Sequence, residues 1–230
     1  MSGTLLRPDL VDLRPKGLTL DIRHSGTRRL RFSTFTVNIG AGPMELRSRQ
    51  LDCDGNGDTS DDRTAVQHTY LDANTDGVFE RGTDTASTAH VAGCFAFDAK
   101  HGHWHFGDFS MFALLDPGTG DVVAQHRKVG FCLIDDGPTD PNLPGAPSGP
   151  FYDSCALDAT QGISIGWTDV YPAWLPSQWI NVTDVQPGRF CLAVTVDPAN
   201  RLRESNDSNN TTFRLIRIAR SKVVDVAPTC

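Results

Sequence analysis

No stretch of the 230 residues carries a sustained helical period; apolar residues come in short runs cut off by clusters of Gly, Pro, Asp and Asn. Leu30 to Val37 reads LRFSTFTV, an alternating pattern, while Met111 to Leu115 and Lys128 to Ile134 are compact apolar runs. Arg189 to Val196 (RFCLAVTV) and Thr212 to Ile218 (TFRLIRI) are rich in β-branched and aromatic side chains. Alternation with period two turns one face of a strand inward, and short runs bounded by turn residues suit strands rather than helices. With 21 Gly and 14 Pro spread over the whole length, the pattern predicts an all-β fold. The expected architecture is an antiparallel β-sandwich with long irregular loops and little helix.

A chain of this length suits a single domain, 1–230, and its 39% hydrophobic content is enough for a core. No apolar run approaches the roughly 18 residues of a membrane span. Lys and Arg number 21 against 28 Asp and Glu, a formal charge of -7. Residues 51–90 hold nine acids and two bases, so that window carries the whole excess and the remainder balances. No basic face of the kind nucleic acid requires is present, and so dense an acidic window suggests metal cations instead.

Two long loops are expected. One is an acidic insertion over residues 51–93, and the other is the Pro/Gly-rich segment 135–150 (DDGPTDPNLPGAPSGP) between Cys132 and Cys155. The six cysteines form an even set with no CxxC, which favours disulfides over a zinc cluster or scattered buried thiols, although 15 connectivities remain open. Disulfides imply an oxidising compartment, secreted, periplasmic or extracellular. The opening Met1-Ser2-Gly3-Thr4 shows no apolar signal core, so export would require a leader already trimmed.

Three histidines alternate in His101-Gly102-His103-Trp104-His105. On a straight strand they share one face, but the outer Cα atoms would stand about 13 Å apart at roughly 3.3 Å per residue, too far for one ion. The backbone must bend, which Gly102 and Gly107 permit. Three neutral imidazoles round one ion suit Cu(II) or Zn(II), with positions left for water or substrate; the competing reading is a solvated His-rich strand.

Within the acidic window, Asp52, Asp54, Asn56 and Asp58, and again Asp72, Asn74 and Asp76, place oxygens at alternate positions before a Gly-containing turn, like the first half of a calcium loop. The position of the distant bidentate Glu holds Arg63 in the first and Thr83 in the second, so a merely solvated turn competes with Ca(II) at both. Glu204 to Asn210 (ESNDSNN) is a third oxygen-rich cluster, whose plain reading is an Asx-rich hairpin loop.

Taken in order, several segments resemble the catalytic domain of the lysyl oxidase family, in a microbial-type homologue. They are Pro8-Asp9-Leu10-Val11, Leu30-Arg31-Phe32 with Val37-Asn38-Ile39-Gly40, and His101-x-His103-x-His105 followed by Phe109-Ser110 and Leu114-Leu115-Asp116. They continue with Lys128-x-x-Phe131-Cys132-Leu133 and Gln161-Gly162-Ile163-Ser164-x-Gly166-x-x-Asp169-x-Tyr171. Then come Gln178-Trp179-Ile180-x-x-Thr183-Asp184-Val185-x-Pro187-Gly188 and Glu204-Ser205-x-x-Ser208-Asn209-Asn210. The likeness is nearly continuous from about 101 to 218, while 51–93 has no counterpart in it.

The resemblance implies a copper amine oxidase of the lysine tyrosylquinone type. It would convert peptidyl-lysine or other primary amines to aldehydes with O2, releasing hydrogen peroxide and ammonia. By that likeness His101, His103 and His105 hold Cu(II), and Tyr171 becomes a quinone crosslinked to the amine of Lys128. Asp169, two residues before Tyr171, is the candidate base by proximity. The family's calcium site falls on Asp9, the Leu10 carbonyl, Glu204, Asn206, Asn209 and Asn210. Asn206 stands where the family has an Asp, which lowers the charge of that site; Ser177 and Trp167 stand where the family has cysteines, so its disulfide set is only partly kept. The pairs expected are Cys132–Cys155 round the Pro/Gly loop, Cys53–Cys94 round the acidic insertion and Cys191–Cys230 at the C-terminus. The rival reading from another class is a noncatalytic, calcium-dependent adhesion-type β-sandwich module, suggested by Val194-Thr195-Val196-Asp197-Pro198 leading to Glu204; a third is a zinc hydrolase on the three histidines. Only the oxidase needs both Lys128 and Tyr171.

Overall fold

The computed structural model describes residues 3–99, 101–128, 130–156, 160–226 and 230; the side chains of Ser87, Arg127 and Lys128 also lie outside the described part. Its strands are β1 (Leu5–Leu6), β2 (Leu10–Asp12), β3 (Lys16–Ile22), β4 (Arg28–Asn38), β5 (Met44–Arg49), β6 (Asp62–Leu71), β7 (Thr85–Asp98) and β8 (His103–Phe106). There follow β9 (Ser110–Leu115), β10 (Val122–Lys128), β11 (Gly137–Pro138), β12 (Gln161–Ile163), β13 (Trp167–Tyr171), β14 (Trp179–Asn181), β15 (Gly188–Val196), β16 (Thr211–Ile218) and β17 (Val223–Asp225). No helix occurs among the described residues, and the strand pairings within the sheets are antiparallel, so the all-β expectation holds.

Three sheets form: β12-β5-β6-β7-β8 with β1 on β6, β10-β9-β15-β16-β17, and β11-β13-β4-β14 with β2 and β3 on β4. The long strand β4 explains the layering. Its alternate residues Leu30, Phe32, Thr34 and Thr36 point inward and are buried, and Phe32 meets Phe112 of β9 edge to face, centroids 5.0 Å apart. Leu30 and Phe32 join Leu114, Leu192, Val194 and Ile216 in one apolar core between two sheets, as the facing sheets of a sandwich do. A second core, including Met44, Leu46, Phe95, Trp104, Phe131 and Trp167, backs the functional site, and Tyr171 packs against it.

Two expectations need correcting. Residues 51–93, expected as a loop, contain β6 and much of β7, whose pairing is the longest among the described residues and runs from Asp62 opposite Ala96 to Leu71 opposite Thr85. The inward positions of β6 include Gln67 and Thr69, buried polar residues that hide the strand from a hydrophobicity pattern. Gln67 is satisfied through both amide atoms by the backbone of Arg203, at 2.7 and 3.1 Å. The second correction concerns Lys128 to Ile134. The strand there, β10, ends at Lys128, and beyond it Phe131 makes only an isolated bridge to Phe106, because Phe131 and Leu133 are core anchors of an irregular segment. The three expected disulfides, Cys53–Cys94, Cys132–Cys155 and Cys191–Cys230, are all present.

Candidate functional site

The bend that three histidines require comes from a hairpin. Strand β7 ends at Asp98, which lies opposite His103 at the start of β8, and the connecting turn holds Gly102 at φ +71°, where a Cβ would be strained. The N–H groups of His101 and Gly102 both donate to the Asp98 carbonyl, at 3.1 and 2.7 Å. His101 thereby leaves the line of the strand and comes over the face that His103 and His105 share. One ring nitrogen from each of the three lies within 4.8 Å of the others.

Two of these nitrogens, Nε2 of His103 and Nε2 of His105, are 2.9 Å apart. At a metal–nitrogen distance of about 2.0 to 2.1 Å both nitrogens can reach one ion, and imidazole donors suit Cu(II) as they suit Zn(II). Burial holds the His103 imidazole below its ordinary value, with the neighbouring His101 acting in the same direction and Asp98 opposing; the neutral ring is the form that ligates. The donor set therefore fits the ion that the sequence suggests. On the other side of the rings, the Asp98 carboxylate reaches Nδ1 of His101 and of His105.

The histidines line one wall of a cavity of about 650 Å³, and Tyr171 lines it too. Tyr171 is the last residue of β13, paired with Thr34 of β4; its hydroxyl donates to the Cys132 carbonyl at 2.7 Å and its ring meets Phe131 edge to face at 4.4 Å. Burial pushes the Tyr171 phenol well above its ordinary range, and the carboxylates of Asp169 and Asp136 push the same way. Lys128 closes β10 opposite Ser110; its side chain lies outside the described part. Asp169 sits two residues before Tyr171 but is only 1% exposed, whereas Asp136 lines the cavity. The sequence reading singled out neither Asp136 nor Asp98, and Asp98 carried a readable signal, an acid three residues before the first histidine.

The chain ends meet at the second oxygen cluster. The Glu204 carboxylate accepts the Leu10 N–H at 2.5 Å and the Asn210 side-chain amide at 2.9 Å, while the Asn209 amide donates to Asp9 at 2.8 Å. The Oδ1 atoms of Asn209 and Asn210 are buried with no hydrogen-bond donor, and Glu204 itself is buried, which pushes its carboxyl up to about 8. Unsatisfied oxygens beside a buried carboxylate fit a hard cation. Asn206 stands apart: it is exposed, and its oxygen accepts from Ser208 N–H and Oγ, at 3.1 and 2.7 Å.

The acidic window folds into two turns of the same design. Asp52 accepts the N–H groups of Gly55 and Gly57, and Asp72 those of Thr75 and Gly77. Each turn is closed by a buried acid absent from the sequence reading: Asp62 accepts from Cys53 and Asp54, and Asp84 from Ala73 and Glu80. Asp52, Asp54 and Asp62 bring carboxylate oxygens within 4.8 Å of one another. Asn56 and Asp58 are exposed and accept from the backbone N–H groups of Asp58 and Ser60, two residues on, as Asp76 does from Val78; Asn74 donates to Asp76 and Glu80.

The family model for lysyl oxidase matches residues 53–226. Among characterised proteins, the chain is 41% identical over 111 residues to lysyl oxidase homolog 1 of Homo sapiens, a stretch covering 48% of this chain and 18% of that protein. It is 40% identical over 111 residues to protein-lysine 6-oxidase of Rattus norvegicus, covering 48% and 25%. It is also 35% identical over 116 residues to lysyl oxidase homolog 3B of Danio rerio, covering 50% and 14%. The shared stretch thus spans a quarter or less of each of these relatives.

Proposed function

This chain belongs to the lysyl oxidase family, and on that premise we propose that it is a copper-dependent amine oxidase that turns primary amines, lysyl side chains among them, into aldehydes. O2 would be the oxidant, with peroxide and ammonia released. The observation that carries this reading is the convergence of His101, His103 and His105 on the cavity that Tyr171 also lines. Copper held by the three imidazoles would supply redox chemistry with O2, and a lysine tyrosylquinone built from Tyr171 and Lys128 would supply a carbonyl for the substrate amine.

The protein's own side chains prepare that chemistry. Asp98 lies on the Nδ1 side of His101 and His105, the kind of outer carboxylate that orients metal-bound imidazoles. The Cys132 carbonyl orients the Tyr171 hydroxyl, and burial keeps the phenol protonated until it is oxidised. Apolar side chains, Phe97, Ile134, Val170 and Leu175 among them, make up much of the cavity wall. We further assign calcium to Asp9, Leu10, Glu204, Asn209 and Asn210, and to the two acidic turns built on Asp52 and Asp72. Three disulfides support an oxidising, extracytoplasmic location. The adhesion-type module is not favoured, because it has no use for a tyrosine beside three histidines.

The test uses Lys128→Arg and Tyr171→Phe in copper-loaded protein. Both should bind copper as the parent does and release no peroxide on amine addition: a permanently protonated guanidinium cannot act as the amine nucleophile, and the phenylalanine lacks the phenol oxygen at which oxidation starts. Amine oxidation at the parent rate in either variant refutes the reading.

A further inference from the structure

The substrate of such an enzyme arrives in the wrong protonation state. A primary alkylamine, with a pKa of about 10.4 for a lysine side chain, is an ammonium at neutral pH; it has no lone pair for a carbonyl until a proton leaves. The site therefore needs an anionic group that attracts the cation and then takes its proton, on the cavity wall and not behind it.

Asp169 lies behind the wall, 1% exposed. Asp136 lines the cavity with Ile134, Val170, Leu175 and Tyr171. Its position is fixed from below: one carboxylate oxygen, Oδ2, accepts the Val170 N–H at 2.7 Å, and the Asp169 side chain also hydrogen-bonds to the carboxyl. The other described acid on the wall, Asp98, is engaged by His101 and His105, and no Lys or Arg lines the cavity among the described residues. Burial pushes the Asp136 carboxyl up and the adjacent Asp135 pushes the same way, while the Val170 N–H and the Asp169 carboxyl pull it down. The ionisable groups round Asp136 are thus Asp135 beside it, Asp169 and Tyr171 on β13, and the three imidazoles with Asp98 across the cavity.

We propose that Asp136 is a catalytic residue: its carboxylate ion-pairs the substrate ammonium and accepts one proton from it, with the apolar wall of Phe97, Ile134, Val170 and Leu175 receiving the methylene stem. In that step an N–H bond of the ammonium breaks, its electron pair stays on nitrogen as the nucleophilic lone pair, and the proton forms an O–H bond on Asp136. The substrate class is a primary amine on an unbranched apolar stem. The proposal rests on the amine oxidase reading and sharpens it.

The experiment compares parent, Asp136→Asn and Asp136→Glu in the full chain, with n-pentylamine as substrate and phenylhydrazine as a carbonyl probe that reacts as the neutral base. Asparagine keeps an oxygen for the Val170 N–H, so the fold should persist. In the copper-loaded Asn variant the phenylhydrazine adduct should form at the parent stoichiometry, while kcat/KM for n-pentylamine falls about tenfold or more, as for loss of a charge-assisted hydrogen bond. Its profile should also lose the acid limb, where the parent slows as falling pH protonates the carboxylate. Copper-free protein provides a readout without turnover: n-pentylammonium should bind the parent about tenfold more tightly than the Asn variant by calorimetry, and the Glu variant should recover part of both losses. The proposal is overturned if kcat/KM, acid limb and ammonium affinity all stay within about twofold of the parent, or if the Asn variant alone forms no adduct, which would put Asp136 in cofactor formation instead. A parent that forms no adduct yet binds n-pentylammonium through Asp136 overturns the oxidase reading and leaves the amine-receiving carboxylate standing.

Discussion

Oδ2 of Asp98 lies 3.0 Å from Nδ1 of His101, so the residue that ends β7 is tied to the first histidine after the turn. The same oxygen is 3.6 Å from Nδ1 of His105. One carboxylate thus lies within hydrogen-bond distance of one proposed ligand, His101, as outer partners of metal-bound imidazoles do, and close to a second, His105.

Removing that carboxylate should loosen the metal without unfolding the sheet. Asp98→Ala is expected to weaken copper binding by about ten- to a hundredfold, measured by competition with a chelator of known affinity. The Cu(II) electron paramagnetic resonance spectrum should change with it. Affinity and spectrum equal to the parent's would show that the histidines are held without Asp98.

Gly130 packs against the same histidine, His105. A Cβ built there would stand 2.7 Å from Cβ and 3.1 Å from Nδ1 of His105, closer than packed atoms tolerate. Gly130→Ala should therefore displace His105 and cost about 1 to 3 kcal/mol of stability, read as a lower melting temperature and weaker copper binding together. A variant with both unchanged would mean that the segment can withdraw from the histidine.

The disulfide Cys132–Cys155 spans 23 residues and joins two walls of the site. The Cys132 carbonyl holds the Tyr171 hydroxyl, and the Cys155 carbonyl accepts the N–H of Trp104, between His103 and His105. Replacing both cysteines with Ala should cost about 3 kcal/mol from loop entropy. At roughly 2 to 4 °C per kcal/mol for a chain of this size, the melting temperature should fall by about 6 to 12 °C. Amine oxidation should fall further than the unfolded fraction accounts for; an activity loss equal to that fraction would restrict the bridge to a stabilising role.

The parts of this molecule legible in its sequence are those where pattern and chemistry coincide. Leu30 and Phe32 alternate because they face a core, and the five apolar residues from 111 to 115 fill β9, an inner strand of its sheet between β10 and β15. The histidine spacing announced a bend because a straight strand could not bring the rings together. What stayed hidden is where tertiary partners replace the pattern. Gln67 looks like a surface residue until the Arg203 backbone satisfies it, and Phe131 looks like a strand residue although it is a plug in an irregular segment. Asp136 and Asp98 gain meaning only from the cavity and rings they face, a relation spacing alone does not encode.

The chain ends provide the last test. Leu10 and Glu204 are 194 positions apart and joined by a buried 2.5 Å hydrogen bond; beside them the Oδ1 atoms of Asn209 and Asn210 are buried without donors. A cation there would satisfy these oxygens and favour only the folded chain, contributing about 2.7 kcal/mol at a hundredfold excess over Kd. That corresponds to roughly 5 to 11 °C in melting temperature. Calcium should therefore raise the melting temperature of chelator-stripped protein, and Glu204→Gln should abolish most of that rise, because an amide cannot give up a proton to become the anionic ligand that the ion needs, while the shape is kept. The response left in Glu204→Gln then belongs to the two acidic turns, and an Asp52→Asn, Asp72→Asn double variant should remove it. Asn206→Ala should leave the Glu204-dependent rise intact, since the exposed Asn206 oxygen serves Ser208. If calcium moves the melting temperature of Glu204→Gln as far as that of the parent, the closure of the chain ends is made by hydrogen bonds alone and no ion sits between them.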